Sequence, residues 1–271
     1  AGKLWVAAND GGLFVLDRIS GAVRPFPSQG SKNWKNVDAM AIDREDQIWL
    51  NHNNRFLIRL DPLTEAWEKV APLSPAANFI ETDSIWSVYS DMENQPWICN
   101  TSKLGRVYSD RAAVDYQKLP TFDLEKVETF LRDPDGRFWI ATLQGLLRYE
   151  LSGDFRFFQA APLQADSLKH NRIKSLLLDP DQPDRYLWIG TGGGGLSRLD
   201  MQENTFRHYT EADGLCDDFI YGLLADEAGD LWISTNRGLA RFDRQSGRFT
   251  NYNVKDGLQS NEFNSRSYFR S

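Results

Sequence analysis

A tryptophan returns inside the same short phrase six times along this chain of 271 residues. Each copy lies between apolar or aromatic neighbours, as in Leu231-Trp232-Ile233. The six copies are Trp5, Trp49, Trp97, Trp139, Trp188 and Trp232, with spacings of 44, 48, 42, 49 and 44 residues. A period of about 45 residues, made of short β-rich runs and turn residues, is the length of one four-stranded propeller blade. The repeat therefore predicts an all-β fold, a six-bladed β-propeller in one domain that spans residues 1–271.

The last complete repeat shows the predicted blade most clearly. Strands are predicted at 220–226, 231–235, 238–243 and 248–252, where apolar and β-branched residues recur. The segments between them, such as Glu227-Ala228-Gly229-Asp230, carry the residues typical of tight turns. Four antiparallel strands joined by three turns make one blade.

The two ends of the sequence complement each other. Residues 1–5 are predicted to form a turn and a second strand, and residues 261–271 a first strand without a second. Open sheet edges invite aggregation, and propellers leave only short, protected edges. We therefore expect the first blade to be closed by the C-terminal strand, as its innermost strand.

Charge and composition exclude several partner classes. The net charge of −7 disfavours nucleic acid and anionic membranes, which bind basic surfaces. No run approaches the 18 or so apolar residues of a membrane helix, so we expect no membrane insertion by this chain. Cys99 and Cys216 lie in different repeats and have no metal-ligand spacing, so neither a disulfide nor a zinc site is predicted.

Several phrases make the chain resemble a known family. Leu187-Trp188-Ile189-Gly190-Thr191 is followed by Gly195-Leu196, and Asp213-Gly214-Leu215 and Asp256-Gly257-Leu258 each precede a new first strand. These phrases resemble the two-component regulator propeller repeat, most strongly in the last two complete repeats. The resemblance implies a non-catalytic periplasmic sensor module of a histidine-kinase signalling system. Many such receptors respond to oligosaccharides, so it also implies a small polar ligand of that kind.

The order of strands predicts where a ligand binds. If the first strand is innermost, the loops between strands two and three and the connections between blades share one face, which carries amides, cationic groups and aromatic rings. Such groups suit a sugar, through hydrogen bonds to hydroxyls and stacking on ring faces. The candidate ligand-binding residues are Trp34, His52, Asn54, Arg55, Trp86, Asn100, Lys103, Gln144, His170, Arg172, Tyr221, Asn236 and Arg237.

Each of these residues also has a purely structural explanation. The six repeat tryptophans are predicted to be blade core, and asparagine or arginine in a tight loop usually satisfies backbone groups. His52 and His170 lack a third ligand, so no metal site is predicted, and His208 is predicted on the surface of an outer strand. The glycines at 192–195 join two strands without a helix N-terminus, so they predict a rim that a ligand can approach and not a phosphate loop.

Two other function classes remain open at this level. A propeller hydrolase or lyase would use acids on the same face, and the candidates are Asp10, Asp83, Asp217, Asp218 and Glu262. No motif enforces a catalytic pair among them, so we expect no enzymatic activity and no cofactor. A protein-interaction or dimerisation propeller would use exposed aromatic residues of the outer strands, with Trp67, Phe157 and Phe158 as candidates.

Overall fold

The fold follows the tryptophan repeat. A computed structural model of the chain describes residues 3–8, 12–26, 37, 39–52, 56–72, 87–100, 102–108, 110, 113–119, 126–161, 164 and 166–263. Over these residues the chain forms six sheets, one for each repeat. The fold class is the predicted one, an all-β propeller of six blades. The chain divides into two compact units, residues 1–122 and 123–271, and each contains three of the described sheets.

The first unit contains strands β1 to β12. They are β1 (Lys3–Ala8), β2 (Gly12–Asp17), β3 (Val23–Phe26), β4 (Met40–Ile42), β5 (Ile48–His52), β6 (Phe56–Leu60), β7 (Trp67–Lys69), β8 (Ala71–Pro72), β9 (Ser87–Ser90), β10 (Pro96–Cys99), β11 (Lys103–Tyr108) and β12 (Ala113–Lys118). The sheets have the orders β1-β2-β3, β4-β5-β6-β7 and β8-β12-β11-β10-β9.

Two of these sheets differ from the four-stranded expectation. The first has three described strands; the C-terminal strand expected to close it falls on residues 264–271, outside the described part of the chain, so that closure stays a prediction. The third gains β8, which pairs in parallel with β12, the outermost strand of that blade. The connection before the blade thus covers the edge of its outer strand, which removes a site for non-specific pairing.

The second unit contains strands β13 to β24, in three four-stranded antiparallel sheets. They are β13 (Val127–Arg132), β14 (Phe138–Thr142), β15 (Leu146–Tyr149), β16 (Phe155–Phe158), β17 (Ile173–Leu178), β18 (Tyr186–Thr191), β19 (Leu196–Asp200), β20 (Thr205–Tyr209), β21 (Ile220–Ala225), β22 (Leu231–Thr235), β23 (Gly238–Asp243) and β24 (Arg248–Tyr252). Two short 3₁₀ turns, Glu211–Asp213 and Val254–Asp256, follow β20 and β24.

These turns explain the Asp-Gly-Leu phrases. Asp213 accepts a 2.8 Å hydrogen bond from the backbone N–H of Thr210, which closes the turn. Gly214 then takes φ 103°, a left-handed conformation that favours glycine. Leu215 is buried directly after it. The phrase is thus a compact connection that returns the chain to the next innermost strand.

Four of the six repeat tryptophans are buried in the core of their blades, as predicted, and Trp5 and Trp232 are partly buried. Trp49, Trp139 and Trp188 are fully buried in their second strands. The Trp188 ring packs edge-on against Phe242 of the next blade, with ring centroids 5.6 Å apart. Because these three tryptophans lie between apolar residues that are also buried, they fill the space between neighbouring sheets. The described part of the chain contains no helix long and apolar enough to cross a membrane.

An aspartate binds the indole of five of the repeat tryptophans. In five repeats the tryptophan Nε1 donates to a carboxylate at the turn that follows the first strand. The pairs are Asp43–Trp49 at 2.7 Å, Asp91–Trp97 at 3.0 Å, Asp133–Trp139 at 2.8 Å, Asp179–Trp188 at 2.8 Å and Asp226–Trp232 at 2.9 Å. The bond satisfies an indole donor that burial would otherwise leave without a partner.

Candidate functional site

The innermost strands of the second unit begin with the same irregularity. Val127 pairs with Thr142 and Thr129 pairs with Ala141, so Glu128 between them is an extra residue, a β-bulge. Strands β17 and β21 carry the same shift. A bulge re-aims a side chain and is frequent beside functional sites. The three extra residues, which we call the bulge positions, are Glu128, Lys174 and Tyr221.

The residue before each innermost strand occupies a second repeated place, which we call the lead position. The lead residues of β13, β17 and β21 are Lys126, Arg172 and Phe219, and Glu262 follows Asn261 as Phe219 follows Asp218. Asparagine or aspartate at the preceding residue fixes three of these places by accepting a backbone N–H from the connection between blades. These bonds are Asn171 to Ala160 at 2.6 Å, Asp218 to Glu211 at 2.9 Å and Asn261 to Val254 at 2.9 Å. The backbone is thus held in the same way while the lead side chain differs.

Two aromatic rings and their polar neighbours form what we call the aromatic shelf: Phe219, Tyr221, Arg172 and Asn236. The ring centroids of Phe219 and Tyr221 are 4.8 Å apart, and the Arg172 Cζ lies 5.3 Å from the Phe219 centroid. The Tyr221 hydroxyl donates to Asn236 Oδ1 at 2.8 Å. Burial, followed by the charge of Glu262, raises the pKa of the Tyr221 phenol, which keeps this donor protonated. The shelf offers ring faces next to amide and guanidinium groups.

Arg237 binds two carboxylates in the connection that precedes Phe219 and Tyr221 of the shelf. Its Nε lies 2.9 Å from Asp217 Oδ2, and its Nη2 forms a second ion pair with Glu211. Asp217 also accepts the backbone N–H of Phe219 at 2.7 Å. Arg237 fixes the start of β21 through Asp217, and the guanidinium with its two carboxylates carries a net charge of −1.

The glycine segment 192–195 has no amide left for a ligand. Gly192 donates to the Arg172 carbonyl at 2.8 Å, Gly194 to Thr191 Oγ1 at 2.8 Å, and Gly193 and Gly195 to the Asp218 carbonyl at 3.2 and 2.9 Å. A Cβ at Gly194 would lie 2.7 Å from the Cβ of His170. Gly192, Gly194 and Gly195 are therefore needed for close packing against the connections between blades, and the role of the segment as a rim that a ligand can approach stays a prediction.

A buried ion pair joins two bulge positions. Lys174 Nζ lies 3.2 Å from Glu128 Oε2, and the two side chains are 4% and 3% exposed. Lys126, at a lead position, lies 3.3 Å from the other oxygen, Glu128 Oε1. Burial lowers the pKa of the Lys174 ammonium, and the charge of Glu128 acts in the opposite direction. One carboxylate thus lies between two ammonium groups.

The structure brings together five of the predicted ligand-binding residues. Arg172, Tyr221 and Asn236 belong to the aromatic shelf and Arg237 supports it. His170 lies beside them, where its Nδ1 accepts the backbone N–H of Arg172 at 3.1 Å.

Gln144 is on the preceding blade of the same unit. Its backbone N–H donates to Thr142 Oγ1 at 3.0 Å, and its carbonyl accepts from Gln159 Nε2 at 3.1 Å. Neither bond joins Gln144 to the aromatic shelf, so Gln144 is not part of the candidate site.

The remaining predicted residues belong to the first unit. His52 ends β5 and Lys103 begins β11. Asn100 is buried, and its Oδ1 accepts the backbone N–H groups of Ser102 and Lys103 at 2.8 and 2.7 Å, which is the structural role of a turn asparagine. Four further candidates lie outside the described residues: Trp34, Asn54, Arg55 and Trp86.

Sequence reasoning missed Lys126, Glu128, Lys174 and Phe219. A signal was present, because Glu128 interrupts the run Val127 to Leu131 and Lys174 lies between Ile173 and Ser175 in a strand expected to be innermost. A charged residue in such a strand must be paired or must point into a polar space. Alternation alone could not locate it, because a bulge breaks the period of two.

Two other sequence predictions need correction. His208 is half-buried and not fully exposed, since its Nδ1 lies 2.8 Å from Oγ of its cross-strand partner Ser197 and burial lowers the pKa of its ring. Phe158 is buried and stacks on Trp139 at 5.9 Å, so it cannot serve as an exposed contact. Trp67 is 45% exposed, as the interaction hypothesis requires.

Of the candidate catalytic acids, Asp217 and Asp218 are engaged within the protein, and Glu262 is exposed. Asp217 binds Arg237, and Asp218 accepts the Glu211 N–H while burial raises the pKa of its carboxyl group. Asp10 and Asp83 lie outside the described residues. Within the described ranges, no group of three or more His, Cys, Asp or Glu residues is arranged to hold a metal ion.

Comparisons with known proteins agree with the repeat pattern. Residues 214–237 match the model of the family described as two-component regulator propeller, which confirms the resemblance seen in the sequence. No curated protein sequence matches the chain significantly.

Solved structures with low sequence identity share the fold. A catalytically inactive virginiamycin B lyase from Staphylococcus aureus with quinupristin has a TM-score of 0.70 at 16% identity, over 97% of this chain and 84% of that chain. The extracellular domain of a protein assigned as a hybrid two-component system of Bacteroides thetaiotaomicron has a TM-score of 0.51 at 18% identity, over 93% and 40%. PorZ, a surface component of the type-IX secretion system of Porphyromonas gingivalis, has a TM-score of 0.67 at 15% identity, over 89% and 37%.

Proposed function

We propose that this chain, which carries the two-component regulator propeller repeat, is the ligand-sensing propeller of a bacterial signalling receptor. In this proposal it acts outside the cytoplasm, binds a small polar ligand of the oligosaccharide class, and catalyses no reaction. The family match and the extracellular location of the two-component structural neighbour support the receptor context.

The aromatic shelf is the observation that carries the proposal. A pyranose ring has an apolar face that packs on aromatic carbon and an edge of hydroxyl groups that need donors and acceptors. Phe219 and Tyr221 supply partly exposed ring surface, and Asn236 supplies an amide beside it. The lead and bulge positions hold these side chains on strands and tight connections, so they are preorganised for a ligand.

Signalling by such a module needs two arrangements of the receptor. A ligand moves the equilibrium between them only by its difference in affinity for the two. The connections at residues 159–172 and 210–219 carry Arg172 and Phe219 of the shelf and also link successive blades, so ligand contacts there act on the packing of neighbouring blades. We therefore propose that the ligand favours one packing of these connections.

Thermal unfolding and calorimetry test the binding proposal. The 271-residue chain is screened against neutral and acidic oligosaccharides, and a ligand at 100 times its Kd is expected to add about 2.7 kcal/mol to the free energy of unfolding. Phe219→Ala should abolish the effect. Trp67→Ala, a change of an exposed aromatic residue in the other unit, is the matched control and should leave the effect intact.

A dimerisation function is the second candidate, because apolar side chains are exposed at equivalent turns of the first unit. Ile19 and Leu63, in the turns before β3 and β7, are 92% and 82% exposed. Sedimentation equilibrium of the wild type and of Ile19→Ser/Leu63→Ser distinguishes the two. A concentration-dependent dimer that the double variant loses, together with no saccharide binding, would replace the sensing proposal.

The absence of turnover is tested on the same ligands. Saccharides that bind are incubated with the protein and analysed by mass spectrometry for hydrolysed or unsaturated products. Unchanged ligand after many hours agrees with a sensor, whereas products that appear in proportion to protein concentration would establish a lyase or hydrolase instead.

A further inference from the structure

In five blades the third strand places an arginine directly opposite the repeat tryptophan. The pairs are Trp49–Arg59, Trp97–Arg106, Trp139–Arg148, Trp188–Arg198 and Trp232–Arg241. The fourth strand adds one residue opposite each arginine, at what we call the outer row position. Side chains opposite each other on neighbouring strands lie on one face of the sheet, with Cβ atoms about 4.5–5.5 Å apart. The charge at the outer row position therefore acts directly on the arginine beside it.

The outer row position is acidic in two blades, neutral in one and a second arginine in two. The cross-strand pairs are Arg59–Glu68, Arg106–Asp115, Arg241–Thr250, Arg148–Arg156 and Arg198–Arg207. Like charges directly opposite each other destabilise a sheet. The two blades with paired arginines thus carry a charge arrangement that folding alone disfavours.

The blade of β17 to β20 has no carboxylate to balance its two arginines. In the preceding blade, Glu150 lies 3.7 Å from Arg148. Within the described ranges, no carboxylate is within ion-pair distance of the Arg198 or Arg207 guanidinium. The acids of the surrounding segments have other partners: Asp200 binds Arg185 at 3.0 Å, Asp179 binds Arg244 at 2.8 Å, and Asp213 accepts the Thr210 N–H at 2.8 Å. Two uncompensated guanidinium groups therefore lie side by side in a chain whose net charge is −7.

Aromatic rings hold both guanidinium groups in place. The Arg198 Cζ lies 4.3 Å from the Tyr186 ring centroid, and the Arg207 Cζ lies 5.0 Å from that of Tyr209. A guanidinium stacked on a ring keeps its N–H donors at the edge of its plane, where they suit a carboxylate. Arg198 is partly buried and Arg207 is exposed. The pair is thus oriented before a partner binds, and Arg207 is open to solvent.

The two arginines lie at the outer edge of their blade. Arg207 and the exposed Thr205 belong to β20, which pairs with β19 and is the last strand of its sheet. Over the described residues, no strand pairs with the other side of β20. In the blade that contains β12, the corresponding side of this outermost strand is occupied by β8, which pairs with it in parallel. The outer edge of a blade in this protein therefore accepts a fifth strand.

We propose that the free edge of β20 binds an extended acidic segment of a partner protein as a fifth strand of this blade. Main-chain hydrogen bonds to β20 supply affinity, and a carboxylate of the segment opposite Arg207 supplies specificity. That carboxylate balances Arg198 and Arg207. Glu68 has the equivalent role within the chain, 3.6 Å from Arg59. The interface does not depend on the ligand-sensing function proposed above.

A second copy of this chain is a poorer occupant of the same edge. Two β20 strands paired about Arg207 would place arginine opposite arginine once more, which like charges disfavour. The net charge of −7 also makes two copies repel each other. An acidic segment, in contrast, is attracted by both arginines.

A protective role for Arg207 makes a different prediction. Charged side chains on an edge strand prevent non-specific pairing of sheets. Such a role needs only a charge at the edge and gives no preference between acidic and neutral segments. Docking requires that an acidic strand binds and that the charge of Arg207 decides which strand does.

The first experiment measures the binding of two synthetic octapeptides with capped ends by fluorescence anisotropy. One alternates threonine with glutamate and the other threonine with glutamine, so that a single face of the strand carries the charge. We expect the glutamate peptide to bind at least about tenfold more tightly at about 50 mM salt, and the difference to shrink at about 300 mM as salt screens the charges. Amide hydrogen exchange of β20 should slow in the complex, whereas that of β24 should not.

The second experiment exchanges the charges. Arg207→Glu should abolish binding of the glutamate peptide and create binding of a threonine–lysine octapeptide, which the wild type does not bind. Arg198→Met should weaken binding of the glutamate peptide several-fold. Arg156→Glu, at the outer row position of the preceding blade, changes the net charge by the same amount as Arg207→Glu and should leave that binding unchanged. Circular dichroism and Tm establish that each variant is folded.

Several results would overturn the docking surface. These are equal binding of the glutamate and glutamine peptides, no binding of either, and binding of the glutamate peptide that the folded Arg207→Glu variant retains. Equal losses in Arg207→Glu and Arg156→Glu would also overturn it, because the attraction would then come from the charge of the whole chain. A complex in which the amide exchange of β20 is unchanged would overturn the addition of a strand.

Discussion

Arg244, in the blade of strands β21 to β24, reaches Asp179 of the preceding blade, and its Nη1 lies 2.8 Å from Asp179 Oδ1. The same carboxylate accepts the indole N–H of Trp188 at 2.8 Å through its other oxygen. Arg244 Nη2 binds Asp181, which is exposed, at 2.6 Å. One aspartate therefore ties the core tryptophan of its own blade to a turn of the next blade, on a side of the sheets away from the aromatic shelf.

The first prediction concerns this contact between blades. Arg244→Met should lower the free energy of unfolding by about 1–3 kcal/mol, because the Asp179 side chain is only 5% exposed and loses a charged partner. Arg248→Met, four residues later on the exposed outer strand, is the control and should change it by less than about 0.5 kcal/mol. Urea unfolding measures both. Equal small losses would show that the contact contributes nothing.

The second prediction compares two glycines with the same backbone conformation. Gly195 has φ 72° and Gly247 has φ 70°. A Cβ added at Gly195 would lie 2.3 Å from the Tyr209 carbonyl oxygen, whereas a Cβ added at Gly247 would have no other atom within 4 Å. Gly247→Ala should cost about 1 kcal/mol of stability, the strain of a left-handed alanine. Gly195→Ala should cost about 1–3 kcal/mol more, the additional steric term. Similar losses in thermal unfolding would contradict the close packing of the segment.

The third prediction is a pH dependence at Asp226. The hydrogen bond from Trp232 lowers the pKa of the Asp226 carboxyl below its ordinary 3.8. A lowered folded-state pKa stabilises the protein above the unfolded pKa, and that contribution is lost as the pH falls through the folded value. The difference in unfolding free energy between the wild type and Trp232→Phe should therefore shrink below about pH 4. A difference that stays constant from pH 6 to pH 2 would show that the bond does not set this pKa.

The fourth prediction separates the two groups of Tyr221. Tyr221→Phe removes the hydroxyl that donates to Asn236 and keeps the ring, so ligand affinity should fall only several-fold. Tyr221→Ala also removes the stacking surface next to Phe219, and the affinity should fall by more than about tenfold. Calorimetry with the ligand identified in the screen measures both. Equal losses would place the ligand on the hydroxyl alone.

Much of the fold could be predicted because each blade repeats the same sequence pattern of strands and turns. The strands expected at 231–235, 238–243 and 248–252 match β22, β23 and β24, and the buried tryptophans lie where the phrase placed them. The added strand β8 could not be predicted, because its two residues, Ala71 and Pro72, have no strand pattern of their own and pair through the neighbouring β12.

The site was harder to predict than the fold, for a physical reason. Arg172, Tyr221, Asn236 and Arg237 were found because polar residues in the expected loops can be counted from the sequence. The use of each side chain depends on its neighbours: the carboxylates of Asp217 and Glu211 bind Arg237. Such ion pairs between connections can be recognised only in the folded structure, because their partners are far apart in the sequence.

The lead and bulge positions have a consequence for how the chemistry of this face can be changed. The backbone beside Phe219 and Glu262 is held by Asp218 and Asn261, through hydrogen bonds that do not involve the side chains of Phe219 and Glu262. Exchanging those side chains leaves the ladder of each blade unchanged. A library that varies the lead and bulge residues together therefore samples new ligand chemistries on a constant frame, as antibody loops do on theirs.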